Sequence, residues 1–294
     1  MNHFNSLAAV AATALVCATS CSVKEERMNC IAPVSVHVAN FTLSQEEFPT
    51  KTTMPAADYS GVKSLTLSFY NGTTEAYKAI QTKGALEEGE TFGEFSLSLP
   101  MGSYTMVVIG HGLGEGETAV TLTSPASATF GENPARETFV KTQPININST
   151  AAVDISATLE RIVSKLQVAS SDGKAANAHS VRMTFSKGSK SFNPTTGLAT
   201  SGDGFSNAIA ISADAGSTSL SNSYLFLSED EQSMSVTIET LDSEGKTLFS
   251  KTVANVPFKR NRVTRLTGPI YTNSSISGSM QLETDYLEGI NMDL

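Results

Sequence analysis

Apolar residues in this 294-residue chain recur at every second position and almost nowhere at helical spacing. Val34-Ser-Val36-His-Val38, Leu65-Thr-Leu67-Ser-Phe69, Phe95-Ser-Leu97-Ser-Leu99 and Tyr104-Thr-Met106-Val-Val108 set the pattern. Side chains along an extended strand point alternately to opposite faces, so this period specifies strands with one face buried. It continues through Ala119–Leu122, Ile145–Ile147 and Val153–Ile155. A second series of similar length runs through Leu166–Val168, Val181–Phe185, Tyr224–Phe226, Met234–Ile238 and Leu248–Val253. Gly, Pro, Asn and Ser separate the runs, as turn residues do. The expectation is an all-β chain of short antiparallel strands in meander or Greek-key order.

Two stretches have helical spacing. One is Glu75–Lys83; the other is Ala151–Lys165, where Leu159, Ile162, Val163 and Leu166 fall three and four apart. Both are short and uncapped, and the second reads better as a strand followed by a hinge. Lys187–Ala215, rich in Gly, Ser, Asn, Asp and Thr, reads as an exposed loop.

The length suits two modules, since domains cluster near ~100–150 residues. With 40% hydrophobic and 17% charged residues there is material for real cores. The expected division is 31–158 and 159–294, with the boundary near Thr158–Ile162, where one strand series ends and the next begins.

Residues 1–20 read as an export signal, with an apolar run from Leu7 to Val16 and then Ala18-Thr19-Ser20 before Cys21. The run is too short to cross a hydrocarbon layer, which takes ~20 apolar residues. Ala-Thr-Ser-Cys resembles the lipobox of bacterial lipoproteins, in which cleavage between Ser20 and Cys21 leaves the thiol to carry a diacylglyceryl group. Leu15-Val16 are too large for the same rule at Cys17. Residues 21–30 are then a tether, and an acylated Cys21 leaves Cys30 without an intrachain partner. Lys24-Glu25-Glu26 resembles the signal that sends lipoproteins to the outer face of the outer membrane.

The remaining composition excludes several chemistries. Net charge is −9 and the seven arginines are scattered, so there is no basic face for nucleic acid. His3, His37, His111 and His179 lie far apart and without the neighbours a metal or a catalytic dyad needs. Gly110-His-Gly-Leu-Gly-Glu-Gly116 has Glu115 where a dinucleotide loop needs glycine, and it reads as a hairpin loop. Glu87-Glu88 and Asp230-Glu231 sit in polar runs and read as solvated surface. No catalytic residue, metal site or cofactor is expected. There is no Trp to form a stacking platform, although a glycan-binding surface lipoprotein is the rival of another class.

Three blocks carry a family resemblance: Leu99-Pro-Met-Gly-Ser-Tyr-Thr-Met-Val-Val-Ile-Gly110, Leu159-Glu-Arg-Ile-Val-Ser-Lys-Leu166 and Val256-Pro-Phe-Lys-Arg-Asn-Arg-Val-Thr-Arg-Leu-Thr-Gly268. They resemble the recurring blocks of the fimbrillin superfamily, the type V pilins of anaerobic Gram-negative bacteria. Physical roles are assignable within them. Gly102 is expected to take a positive φ at a strand start, Tyr104 to fill a core, and Pro257 to sit on an edge where no amide is missed. Arg161 and Lys165 flank an apolar face at the expected junction, where cations either bridge the modules or are solvated.

The resemblance implies two tandem transthyretin-like Greek-key β-sandwich domains. It also implies a structural or accessory subunit of cell-surface fimbriae that supports adhesion and is exported as a lipid-anchored precursor. Assembly would proceed by strand exchange: removal of the strand Ile31–Leu43, with Val34, Val36 and Val38 inward, opens a groove for another subunit's strand. Family members are cut after Arg, but this chain has no Arg between Arg27 and Arg136. Either Lys51 serves, or the strand stays and the chain is a non-polymerising anchor or tip. The spacing from Cys21 to Cys30 resembles that of fimbrial anchor proteins. Within residues 279–294, Met280, Leu282, Tyr286, Ile290, Met292 and Leu294 form either a donor strand or the last strand of the second module. The implied partners are other fimbrial subunits, the outer membrane through the lipid, and a host or bacterial surface receptor.

Overall fold

The computed structural model describes residues 30–42, 53–56, 58–211, 220–271 and 281–283, and every regular element among them is a strand. The first half holds β1 (Ile31–Thr42), β2 (Thr53–Pro55), β3 (Ser64–Asn71), β4 (Thr74–Thr82), β5 (Glu94–Pro100), β6 (Gly102–His111), β7 (Thr121–Ser124), β8 (Ser127–Thr129), β9 (Thr138–Ile147) and β10 (Val153–Arg161). The second holds β11 (Ser164–Ser170), β12 (Ser180–Phe185), β13 (Ser191–Asn193), β14 (Leu198–Ala199), β15 (Phe205–Ala210), β16 (Leu220–Leu225), β17 (Glu231–Leu241), β18 (Thr247–Lys259), β19 (Val263–Gly268) and β20 (Gln281–Glu283).

In the first half the sheet order is β2-β1-β10-β9-β6-β3-β4, with β5 also on β1. β10 and β9 meet only at Glu160–Val140 and Arg161–Phe139, so the sheet folds there into two walls. β5-β1-β10 is one wall and β9-β6-β3-β4 the other. The period-two pattern aims Val34, Val36 and Val38 at Leu65, Leu67, Phe69, Met106 and Val108, and these side chains form one buried core. Phe41 and Phe139 close its upper end, with ring centres 4.9 Å apart.

The second half repeats the arrangement strand for strand. β16-β11-β19 faces β15-β12-β17-β18 across a core containing Val168, Met183, Phe185, Val236 and Ile238. The first strand of each half pairs parallel with the last, β1 with β10 and β11 with β19. Here β20 lies antiparallel on β19, while the matching edge of β10 meets only β9, at Glu160 and Arg161, among the described residues. At the crossing, the Ile162 amide donates to Thr138 O of the first half and Val163 O accepts the Asn261 amide of the second.

Each half carries one insertion at a different point: β7 and β8 between β6 and β9, and β13 and β14 between β12 and β15. The two insertions pair with each other through β8 and β13 into a four-stranded sheet, β14-β13-β8-β7, drawn from both halves. Beneath it lies a third core of Val107, Ile109, Val140, Phe130, Phe192 and Phe226, seated on the outer face of β6 and β9. Ser64, Thr66 and Ser68, the polar face of β3, are fully buried as a result.

Three sequence expectations change. Lys187–Ala215 is not a loop throughout: it contains β13, β14 and β15, and Phe192 within it is fully buried. Its small polar residues serve the turns of a short, tightly wound sheet. Glu75–Lys83 lies mostly in β4, where pairing with β3 overrides local helical spacing. Gly102 does not have a positive φ; it lies against the Tyr104 ring, 3.4 Å from where a Cβ would stand. Tyr104 itself is buried and donates to Pro100 O at 2.8 Å, and Pro257 sits in β18, which pairs on one side only.

Candidate functional site

Two features distinguish the first half: the setting of β1 and the joint with the second half. β1 is an interior strand. It pairs antiparallel with β5 from Ile31 to His37 and parallel with β10 from Val34 to Thr42. A bulge between Val38 and Asn40 shifts the register on the β10 side. Beyond His37 the strand leaves β5, and the Val38 amide donates to Gly93 O at 2.8 Å. Pro33 falls where β5 is the sole neighbour, so its missing amide interrupts nothing. Ala32, Val34, Val36, Val38 and Phe41 are all 0–1% exposed.

Removing β1 would therefore unmask a continuous groove between β5 and β10, with backbone donors and acceptors along both walls. Burial of a Val or Phe stabilises by roughly 1.5–3 kcal/mol. Such a groove takes an extended segment with small or medium apolar residues at alternate positions.

The joint is built on a buried charge. Arg161, last in β10, places Nη2 2.7 Å from Glu137 Oε1 and 3.3 Å from Tyr59 Oη, while Nη1 donates to Asn261 Oδ1 at 3.4 Å. Tyr59 donates to Glu137 Oε2 at 2.7 Å. The guanidinium also lies over the Phe139 ring, 5.1 Å from its centre. Burial, reinforced by the Glu137 carboxylate, pushes the Tyr59 hydroxyl far above its ordinary range and keeps it a donor. Asn261 has φ 58°, a left-handed conformation that Asn tolerates, and its amide donates to Val163 O at 2.9 Å. Ser164 Oγ donates to Lys259 O at 2.6 Å. Lys165 is held below its usual pKa by burial, opposed by Glu137, and its ammonium lies over Tyr224. Of the two readings of Arg161 and Lys165, the bridging one holds for Arg161, which binds Glu137 of the first half and Asn261 of the second.

The third core adds an apolar clamp. Phe192 and Phe226 stack at 4.2 Å, and Phe130 from the other half stacks on Phe226 at 6.2 Å. Thr142 Oγ1 donates to Pro194 O at 3.1 Å, and Thr195 Oγ1 to Pro125 O at 3.0 Å. The halves thus share a core and a sheet as well as a linker.

Over residues 40–293 the sequence matches the model of a family described as "Family of unknown function (DUF6562)". The chain belongs to that family. No curated protein matches it. Among solved structures, this DUF6562 member is similar to a protein proposed to be an adhesin from Bacteroides ovatus, at 10% identity and a TM-score of 0.49, covering 80% of this chain and 87% of that one. It is also similar to the fimbrial anchor protein Mfa2 from Porphyromonas gingivalis, at 15% identity, a TM-score of 0.44, and 87% and 97% coverage. A fimbrial assembly protein from Parabacteroides distasonis is similar at 12% identity, a TM-score of 0.41, and 86% and 94% coverage.

Several predicted site residues of the DUF6562 chain lie outside the described residues: Ser20, Cys21, Lys24, Glu25, Glu26, Lys51, Met280, Tyr286, Ile290, Met292 and Leu294. Leu282 lies in β20, opposite Leu266 of its own chain. Cys30 is a half-buried free thiol. Sequence reasoning missed Tyr59, Glu137 and Asn261, which become neighbours of Arg161 only through tertiary pairing. It also missed Phe192, whose signal was an aromatic residue alone in a polar run.

Proposed function

We propose that this chain is a structural or accessory subunit of cell-surface fimbriae, exported as an outer-membrane lipoprotein through Cys21, with β1 as its exchangeable strand. The observation that carries the reading is the setting of β1: an interior strand with five inward side chains, followed within ten residues by Lys51. The fimbrillin-like blocks support it: they fall at β5–β6, at the β10–β11 joint and at β18–β19, in both halves and at the crossing between them.

A second reading, a non-polymerising anchor that keeps β1, is favoured by one observation: residues 43–52 contain Lys51 and no Arg. Glycan capture has less support, since no Phe or Tyr is exposed among the described residues.

Purified protein beginning at Cys21 is treated with a trypsin-like protease and run on a mildly heated denaturing gel. Ladders that disappear on deletion of residues 279–294 support strand exchange. Cleavage after Lys51 without ladders excludes the polymerising subunit, and resistance of that bond points to the anchor.

A further inference from the structure

Among the described residues, the end of the first module where β1 begins carries no charge. Strand register brings four segments to that pole. β1 starts at Ile31 beside Pro100, and β6 starts at Gly102 beside Ile147. The β3–β4 turn lies beyond Thr105, and β10 starts at Val153 opposite Val34. Positions 30–31, 71–74, 100–103 and 146–153 hold no Asp, Glu, Lys or Arg, and most of them are exposed. Charged residues make up 17% of the chain, so the gap sets this pole apart from the rest of it. Among the described residues, Glu75 and Asp154 are the first charges beyond its rim.

Ile31 and Met101 both lie on this pole, 49% and 39% exposed: Ile31 pairs with Pro100, and the Met101 amide donates to Cys30 O at 3.0 Å. With Ile80 they are the exposed large hydrophobic residues of the described chain. The opposite end of the module carries Arg161, Glu137 and the joint to the second half.

We infer that this uncharged pole is a membrane-contacting surface that seats the first module on the headgroup–acyl boundary of a lipid bilayer. The occupant follows from where the chain enters: Cys30 opens onto the pole, and Cys21 precedes it by nine residues, a reach of at most about 30 Å when extended. The choice of membrane rests on the lipoprotein reading above. A protein with net charge −9 is repelled by anionic headgroups, and a pole whose described residues include no acidic group is the face that meets them at least cost. Ile31 and Met101 supply the apolar insertion, and the surrounding Asn, Ser and Thr suit the polar boundary layer.

The chain has no Trp, so Ser149→Trp on the pole makes a sole fluorescent reporter, and Glu244→Trp in the distant β17–β18 turn makes its control. Residues 22–294 with an N-terminal hexahistidine are tethered to vesicles of phosphatidylcholine, brominated phosphatidylcholine and a nickel-chelating lipid. This tether replaces the acyl chains, so the pole is tested apart from lipidation. Quenching of S149W should exceed that of E244W by about threefold or more, and fall to the control level when Ile31→Asn and Met101→Asn are added. Equal quenching of both reporters in folded protein, or quenching that survives the double substitution, overturns the inference. If cellular protein lacks acyl groups by mass spectrometry but tethered S149W is quenched, the pole stands and the lipoprotein reading fails.

Discussion

Arg161 Nη2 lies 2.7 Å from Glu137 Oε1, and the two side chains are 5% and 14% exposed. The pair joins the last strand of the first sandwich to the segment leading into β9, at the point where the chain crosses into the second sandwich. A buried ion pair adds little net stability over an apolar replacement, but breaking one strands the remaining charge. Arg161→Met should therefore cost about 3 kcal/mol, read as a lower urea midpoint. Adding Glu137→Gln should restore part of the loss; a double variant as unstable as the sum of the singles would show that the pair is not coupled.

His111 gives stability a pH dependence. It is fully buried, its Nδ1–H donates to Gly112 O at 2.6 Å, and its Nε2 accepts the Val120 amide at 3.1 Å, so the neutral ring is the one that fits. Burial holds its pKa below the ordinary 6.5, partly opposed by Gly112 O and Glu117. Between the folded and unfolded values the unfolded chain binds more protons, so this contribution is full above about 6.5 and is lost as pH falls. Denaturation midpoints should drop between pH 7.5 and pH 5 more in the wild type than in His111→Leu.

Phe192 is fully buried and stacked on Phe226. Phe192→Ala should cost roughly 3–5 kcal/mol, as large-to-small changes of buried aromatics do. Because this core is shared by both halves, small-angle scattering should also show a larger radius of gyration. An unchanged radius would mean that the Arg161 cluster alone fixes the joint.

Gly204 has φ +77°, and a Cβ there would stand 2.3 Å from Phe185 O. Both the conformation and the contact with backbone oppose any side chain, so Gly204→Ala should destabilise by about 2 kcal/mol or more. Gly245, with φ +80° and open space around it, isolates the conformational cost, and Gly245→Ala should lose less. Thermal melts of the two variants make the comparison.

Cys21 is open to a direct test. Mass spectrometry of protein from membranes should find acyl groups on the N-terminal cysteine, and Cys21→Ser should release the protein from the membrane fraction. A Cys21→Ser protein that stays in the membrane fraction would leave attachment to some other group.

Alternation alone determined most of the core strands of this protein and their inward faces. Val34, Val36 and Val38 read directly as one side of a buried strand, and Leu65, Leu67 and Phe69 as another, because period two is a local property of extended backbone. The resemblance of short blocks pointed to a duplicated sandwich in the same way. Which second face would be covered was not written locally. Ser64, Thr66 and Ser68 read as a solvent face, yet they are buried, because an insertion of the first half and one of the second pair above them. Phe192 lies in a run that reads as loop, and its burial depends on β8, more than sixty residues earlier. Arg161 meets Glu137 24 residues before it and Asn261 a hundred residues after it. Contacts of that range depend on how two sandwiches dock, which no local period encodes, and so the tertiary structure decided the joint.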